Sequence, residues 1–242
     1  MSLPFFAFMS LIVAVAALVQ GTVGVGFALI VAPVVGLLEP QLLPVTLLIL
    51  MLPLNFYVCW REHPQLDKGG ATWITAGRSV GALGGLWIIA RMSQHDLNLL
   101  IGVSTILAVL ATLYVPSFTP GRKSFVTAGL ITGVTETATG IGGPALALVF
   151  QHHRAPILRS TIALCFALGE LISLALLLAA GHVTLTLALQ AAALIPAVFV
   201  GATVSRLVHH RLDDRLMRSC VLGFALISGV LILIQTLFSG SM

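Results

Sequence analysis

Charge is what this sequence has least of. Asp, Glu, Lys and Arg make up 8% of its 242 residues, against about 25% in soluble globular domains, and 58% of the chain is hydrophobic. With a mean hydropathy of +1.09, a soluble fold is excluded and an all-α polytopic membrane protein is expected. At roughly 20 apolar residues per crossing, about ten to twelve crossings would use the whole chain and leave no length for a soluble domain. Cysteine is scarce too. Cys59, Cys165 and Cys220 stand far apart, without CxxC or Cys/His spacing, and are expected to be core thiols. No metal site and no cofactor are expected. GxSxG, HExxH and a P-loop are all absent, so the chain is not expected to be an enzyme or to be driven by ATP. The net charge of +4 sits in short loops between apolar runs, where Lys and Arg act as orientation signals, and nucleic acid is excluded as a partner. Residues 1–13 hold no basic residue. Ala14-Val15-Ala16 therefore lacks the charged start of a signal peptide, and the first apolar run is expected to be retained.

Eight apolar blocks are present, at about 3–38, 41–60, 70–92, 97–115, 124–151, 157–180, 184–206 and 215–238. Six have the length of one helical crossing. The first and fifth, of 36 and 28 residues, are too long for one, and each is interrupted by a Gly-rich stretch: Gln20–Gly26 and Gly133–Pro144. An offset of 116 residues lays Gly24-Val25-Gly26 on Gly140-Ile141-Gly142, Gln20 on Glu136, Pro40 on Pro156 and Gly85 on Gly201. The chain therefore divides into two repeats, 1–118 and 119–242. Each is a broken block followed by three plain spans, for eight to ten helical segments in all.

Loop charge orients the repeats. If each broken block crossed once, the basic residues would divide 4 to 7 between the two sides. If each instead returns to the side from which it entered, one face collects Arg61, Lys68, Arg122, Lys123, Arg154, Arg159, Arg206, Arg211, Arg215 and Arg218, and the other only Arg91. That is the asymmetry of the positive-inside rule. It implies an odd number of crossings per half, inverted repeats and both termini away from the cytoplasm. Whether the broken segments are re-entrant or two short spans stays open. Inverted repeats with interrupted helices are the architecture of secondary transporters, whose sites lie where the breaks meet near the midplane.

Backbone that leaves helical geometry at membrane depth must line a cavity or be packed in protein. After each break a helix is expected to restart, near Gly26 and near Gly143-Pro144, where proline suits the first turn. The free amides and positive dipole end would then face the centre from both halves, forming an anion site that needs no Lys or Arg. The candidate binding residues are Gln20, Gly21, Thr22, Gly24 and Gly26 in the first break and Thr137, Thr139, Gly140, Gly142 and Gly143 in the second, with Thr135 beside them. The bland alternative is close helix packing through small residues.

Ionisable groups inside a span are costly and mark function. Arg78, flanked by Gly77 and Gly81, should face the interior and either pair with a carboxylate or contact an anion, unless it snorkels to the surface. Glu136, in the second break, is a candidate proton-coupling residue or the partner of Arg78; a carboxylate bracing the broken backbone is the alternative. Glu170 lies deeper, as a proton carrier or a helix brace. Asn55 falls near Glu170 in the repeat register and is a candidate contact for substrate or water. His63, His152, His153, His209 and His210 read as loop residues.

The first broken block, with Gly21-Thr22-Val23-Gly24-Val25-Gly26-Phe27-Ala28 leading to Pro33, and its repetition as Thr139-Gly140-Ile141-Gly142-Gly143-Pro144-Ala145 resemble the sulfite exporter TauE/SafE family of membrane permeases over the whole chain. The resemblance implies transport of sulfite, or of a sulfonate such as sulfoacetate, across the bacterial inner membrane, with Gly24, Gly26, Gly140, Gly142 and Gly143 as pore-lining breaks. The first motif departs from the family in reading Gly-Val-Gly-Phe where a run of two or three glycines is common. The expected partners are the lipid bilayer, a small sulfur-containing anion and, as an option, a second copy in a homodimer. A passive anion channel and, further off, a membrane-embedded enzyme are the alternative functions.

Overall fold

A computed structural model of the chain describes residues 3–62, 66–115, 118–151, 153–208 and 214–239. His63, His152, His209, His210 and Arg211 lie outside the described residues. All regular structure among the described residues is helical: α1 (Leu3–Val23), α2 (Phe27–Leu38), α3 (Val45–Glu62), α4 (Lys68–Arg91), α5 (Gln94–Tyr114), α6 (Arg122–Thr139), α7 (Gly143–Phe150), α8 (Ala155–Ala179), α9 (Leu185–Val208) and α10 (Asp214–Ser239), with a 3-10 turn at Pro40–Leu42. The two overlong blocks are the two that split, into α1 and α2 and into α6 and α7. Among the described residues, five helices are long and apolar enough to cross a bilayer. At 1.5 Å per residue, the eight residues of α7 reach about 12 Å, less than half of a hydrocarbon core of about 30 Å. The protein is a multi-pass membrane protein.

Local signals set the helix ends. Asp67 accepts from Gly70 N–H at 3.0 Å to start α4, and Ser93 and Asp96 form a capping box at the start of α5. Gly140, at φ 81°, ends α6 in the left-handed conformation. Pro144 and Pro156 occupy first turns, where the missing N–H costs nothing.

Packing pairs the helices in a crosswise manner. α1 lies along α9 and α4 along α6; α3 packs on α8, and α5 on α10. The α4–α6 contact is close because glycines line both sides: Gly77, Gly81 and Gly85 rest on the α6 backbone at Val126, Leu130 and Val134, and Gly129 and Gly133 rest on the α4 backbone at Ile74 and Arg78. Gly201 of α9 meets Ala14 of α1 in the same manner. Large apolar side chains such as Leu11, Leu107, Val200 and Ile227 point outward, where lipid covers them; the buried polar groups gather at the centre.

Candidate functional site

Both breaks are three residues long, Gly24–Gly26 and Gly140–Gly142, and stand 116 residues apart. They are shorter than the Gly-rich stretches that announced them. Gln20, Gly21 and Thr22 belong to α1, and residues 133–139 to α6. Gly24 (φ 92°), Gly26 (φ 130°) and Gly140 (φ 81°) hold backbone conformations that side chains with a Cβ rarely adopt. The helices restart as expected, at Phe27 and Gly143. The breaks meet: a Cβ built on Gly143 would lie 3.7 Å from the Cβ of Val25. Beside this junction is a cavity of about 130 Å³, lined by Val25, Gly26 and Leu29 from one half and Pro144, Ala147 and Gln151 from the other. A water needs only about 10–15 Å³ of such space, so a small polyatomic ion has room.

Behind the junction lies a polar core that the bilayer would not tolerate unpaired. Arg78, 1% exposed, forms an ion pair with Glu136 and donates to the Cys165 carbonyl at 2.7 Å. Its guanidinium stands 5.3 Å from the centre of the Phe166 ring and lies against Gly169, where any Cβ would collide with it. Arg78 therefore faces the interior, with a carboxylate as partner. A second set begins at the start of α2. Phe27 N–H donates to Gln20 Oε1 at 3.1 Å, Gln20 Nε2 to Asn55 Oδ1 at 2.8 Å, and Asn55 Nδ2 to Glu170 Oε1 at 2.7 Å. Gln20, Asn55, Glu136 and Glu170 are all buried. Among the described residues, Glu136 Oε1, Glu170 Oε2 and Arg78 Nε have no hydrogen-bond partner.

The structure thus brings Gln20, Asn55, Arg78, Glu136 and Glu170 together, with Gly142 against Glu136 and Gly143 against Val25; Gly24 packs on Leu158 and Arg159, Gly26 on Val19 and Val221, and Gly140 on Leu47. It turns others elsewhere. A Cβ on Gly21 would run into Ser205 of α9, so Gly21 permits helix packing. The Thr22 hydroxyl donates to Val19 O at 2.8 Å and the Thr135 hydroxyl to Ile131 O at 3.0 Å, bonds within their own helices. Thr139 donates to Thr135 O at 2.7 Å and accepts from Ile141 N–H at 3.2 Å, fixing the second break. Thr137 and Ser173 share a hydroxyl contact of 2.7 Å between α6 and α8. Cysteine departs from expectation in one case: Cys165 is buried and Cys59 partly so, but Cys220 is exposed on α10, because its position on that helix faces away from the bundle.

Two arginines that loop charge had marked only as orientation signals meet the end of α1 beside the first break. Arg61 donates to Gly21 O at 3.0 Å and Arg159 to Thr22 O at 3.4 Å, meeting the last carbonyls of α1 where the dipole is negative. The clue was their position within a turn or two of a helix end. His153 is half-buried, with Nε2 3.9 Å from Asp67 Oδ2, away from the junction.

The sulfite exporter TauE/SafE family matches residues 9–232, a stretch that contains both breaks and every residue of the polar core. The chain belongs to the TauE/SafE family. No curated protein and no solved structure matches it. As a TauE/SafE protein the chain is a membrane transporter of the anion-exporter type.

Proposed function

We propose that this TauE/SafE protein is a secondary transporter of small organosulfur anions, sulfite or a sulfonate such as sulfoacetate, bound where the two breaks meet. The observation that carries the reading is the contact between Val25 and Gly143, which places the starts of α2 and α7 on either side of one cavity. Helix starts present N–H groups and a positive dipole end, and so favour an oxyanion. One of the buried carboxylates, Glu136 or Glu170, couples the movement to protons.

The same reading takes 1–118 and 119–242 as inverted repeats. It is supported by breaks of equal length offset by 116 residues and by the crosswise pairing of α1 with α9 and α4 with α6, which a two-fold axis in the membrane plane would generate. The excess of basic residues at the end carrying Arg61, Arg122 and Arg154 supports reading that end as cytoplasmic, in a bacterial inner membrane with both termini outside.

The test is uptake by proteoliposomes of labelled sulfite and sulfoacetate, with and without an imposed pH gradient, beside empty liposomes. Saturable uptake that responds to the gradient is expected. Absence of flux for every small anion tried would sink the reading, and flux that never saturates would make the protein a channel.

A further inference from the structure

The polar core contains a directional chain whose direction is fixed at one end. Phe27 N–H can only donate, so Gln20 must present its carbonyl to it; Gln20 Nε2 then donates to Asn55 Oδ1, and Asn55 Nδ2 to Glu170 Oε1. Turning either amide would set donor against donor. Glu170 Oε1 is thereby committed as an acceptor, whereas Oε2 is buried and has no hydrogen-bond partner among the described residues.

Charge makes the second, independent argument. The groups facing Glu170 from the helices packed on α8 are Arg78 from α4, Glu136 from α6 and the neutral Asn55 amide from α3, whose Cys59 thiol stands nearer Cys165; α7 carries no ionisable side chain. On α8 itself the Cys165 thiol lies more than one turn before Glu170, and the Asp67 backbone N–H donates to Thr161 Oγ1, more than two turns from Glu170. One guanidinium against two carboxylates leaves one uncompensated negative charge in a bilayer interior, where such charge is expensive. A single proton removes it. Arg78 is bound to Glu136, so the carboxylate without a cation is Glu170.

We infer that Glu170 is the proton-binding site of this transporter, on Oε2, and that Gln20 and Asn55 are positioning residues tying its charge to the first amide of α2. The inference rests on the transporter reading for its coupling step, though not for the location of the proton. With the proton on Oε2 the cluster is neutral and an anion can occupy the junction. When the proton leaves to water the cluster carries one negative charge, and the anion is repelled through the chain that ends on Phe27 N–H. Proton and anion are therefore bound together and travel in the same direction. A unit charge acting over roughly 10 Å at an effective dielectric of about 20 alters anion affinity by an order of tenfold.

Infrared spectroscopy of the full-length protein in membranes at neutral pH tests the location without any transported ligand. A protonated-carboxyl band is expected in the wild type, shifted in Glu170→Asp and unmoved in Glu136→Asp; both variants keep the charge count. No band, or a band that follows Glu136→Asp, would overturn the assignment. Sulfoacetate uptake tests the coupling: Gln20→Leu should keep the band, and the roughly tenfold rise in KM with pH expected in the wild type should be reduced, because the amide link to Phe27 N–H is broken while direct repulsion through space remains. A KM that rises as steeply with pH in Gln20→Leu as in the wild type overturns the positioning role. If the band behaves as expected and no small anion moves, the transporter reading fails while the proton site stands; if anions move and the band is absent, the proton site fails alone.

Discussion

At the scale of single residues, the central fact is that Arg78 and Glu136 each depend on the other. Both are buried, and removing one half of a buried pair leaves the other half uncompensated at a cost of about 3–5 kcal/mol, whereas replacing both with neutral groups is often harmless. Arg78→Gln should therefore lower the unfolding midpoint in detergent sharply. The double change Arg78→Gln with Glu136→Gln should restore most of the loss, and a double variant no more stable than the single one would show that the pair is not the source. Backbone conformation makes a second prediction. Gly140 holds φ 81°, and a Cβ there would come within 3.0 Å of Leu47. Gly140→Ala should destabilise by at least about 1–2 kcal/mol, the cost of a left-handed conformation for an L-residue. Gly121, at φ −116° with nothing within 4 Å, should accept alanine within about 0.5 kcal/mol. Thermal unfolding of the two variants side by side decides it, and equal midpoints would contradict the account.

At the scale of elements, the glycine contact between α4 and α6 is the firmest in the bundle. Without a hydrophobic driving force between helices in lipid, close approach through small residues supplies the association. Gly81 lies on the Leu130 backbone, whereas Gly84 of the same helix meets only the Val134 side chain at 3.3 Å. Gly81→Leu should prevent recovery of a monodisperse protein, and Gly84→Ala should not; size-exclusion profiles that did not differ would deny the contact this role. This same contact shows where sequence reasoning stopped short. The breaks were legible because glycine repeats at matching positions in two overlong apolar blocks. Their true length was not, since Gly133 and Gly21 serve helix packing on Arg78 and Ser205, and a glycine that frees the backbone looks the same in sequence as one that admits a neighbour. The threonines misled for a related reason: in an apolar helix a hydroxyl finds its own i−3 or i−4 carbonyl more readily than a ligand. The Gln20–Asn55–Glu170 chain joins α1, α3 and α8, and no local pattern encodes it. Its trace was the repeat register, which lays Gln20 on Glu136 and Asn55 beside Glu170.

At the scale of the whole molecule, the proposal of inverted halves fixes which loops face which side. Single cysteines introduced at Gly121 and at Gly181, in a background lacking the native thiols, should react with a membrane-impermeant reagent from opposite sides: Gly121 only in inside-out vesicles, Gly181 in intact cells. Labelling of both from one side would dismantle the topology and the positive-inside argument behind it.

The central claim is that the anion passes where the two breaks meet. Counterflow of labelled sulfoacetate in proteoliposomes tests it most directly, measured on the wild type and on Gly24→Leu and Gly142→Leu, whose new side chains would press on Arg159 and on Thr132 and Glu136. The account expects saturable counterflow in the wild type and its loss in both variants while each is still recovered from the membrane. Unaltered counterflow in both would place the path elsewhere.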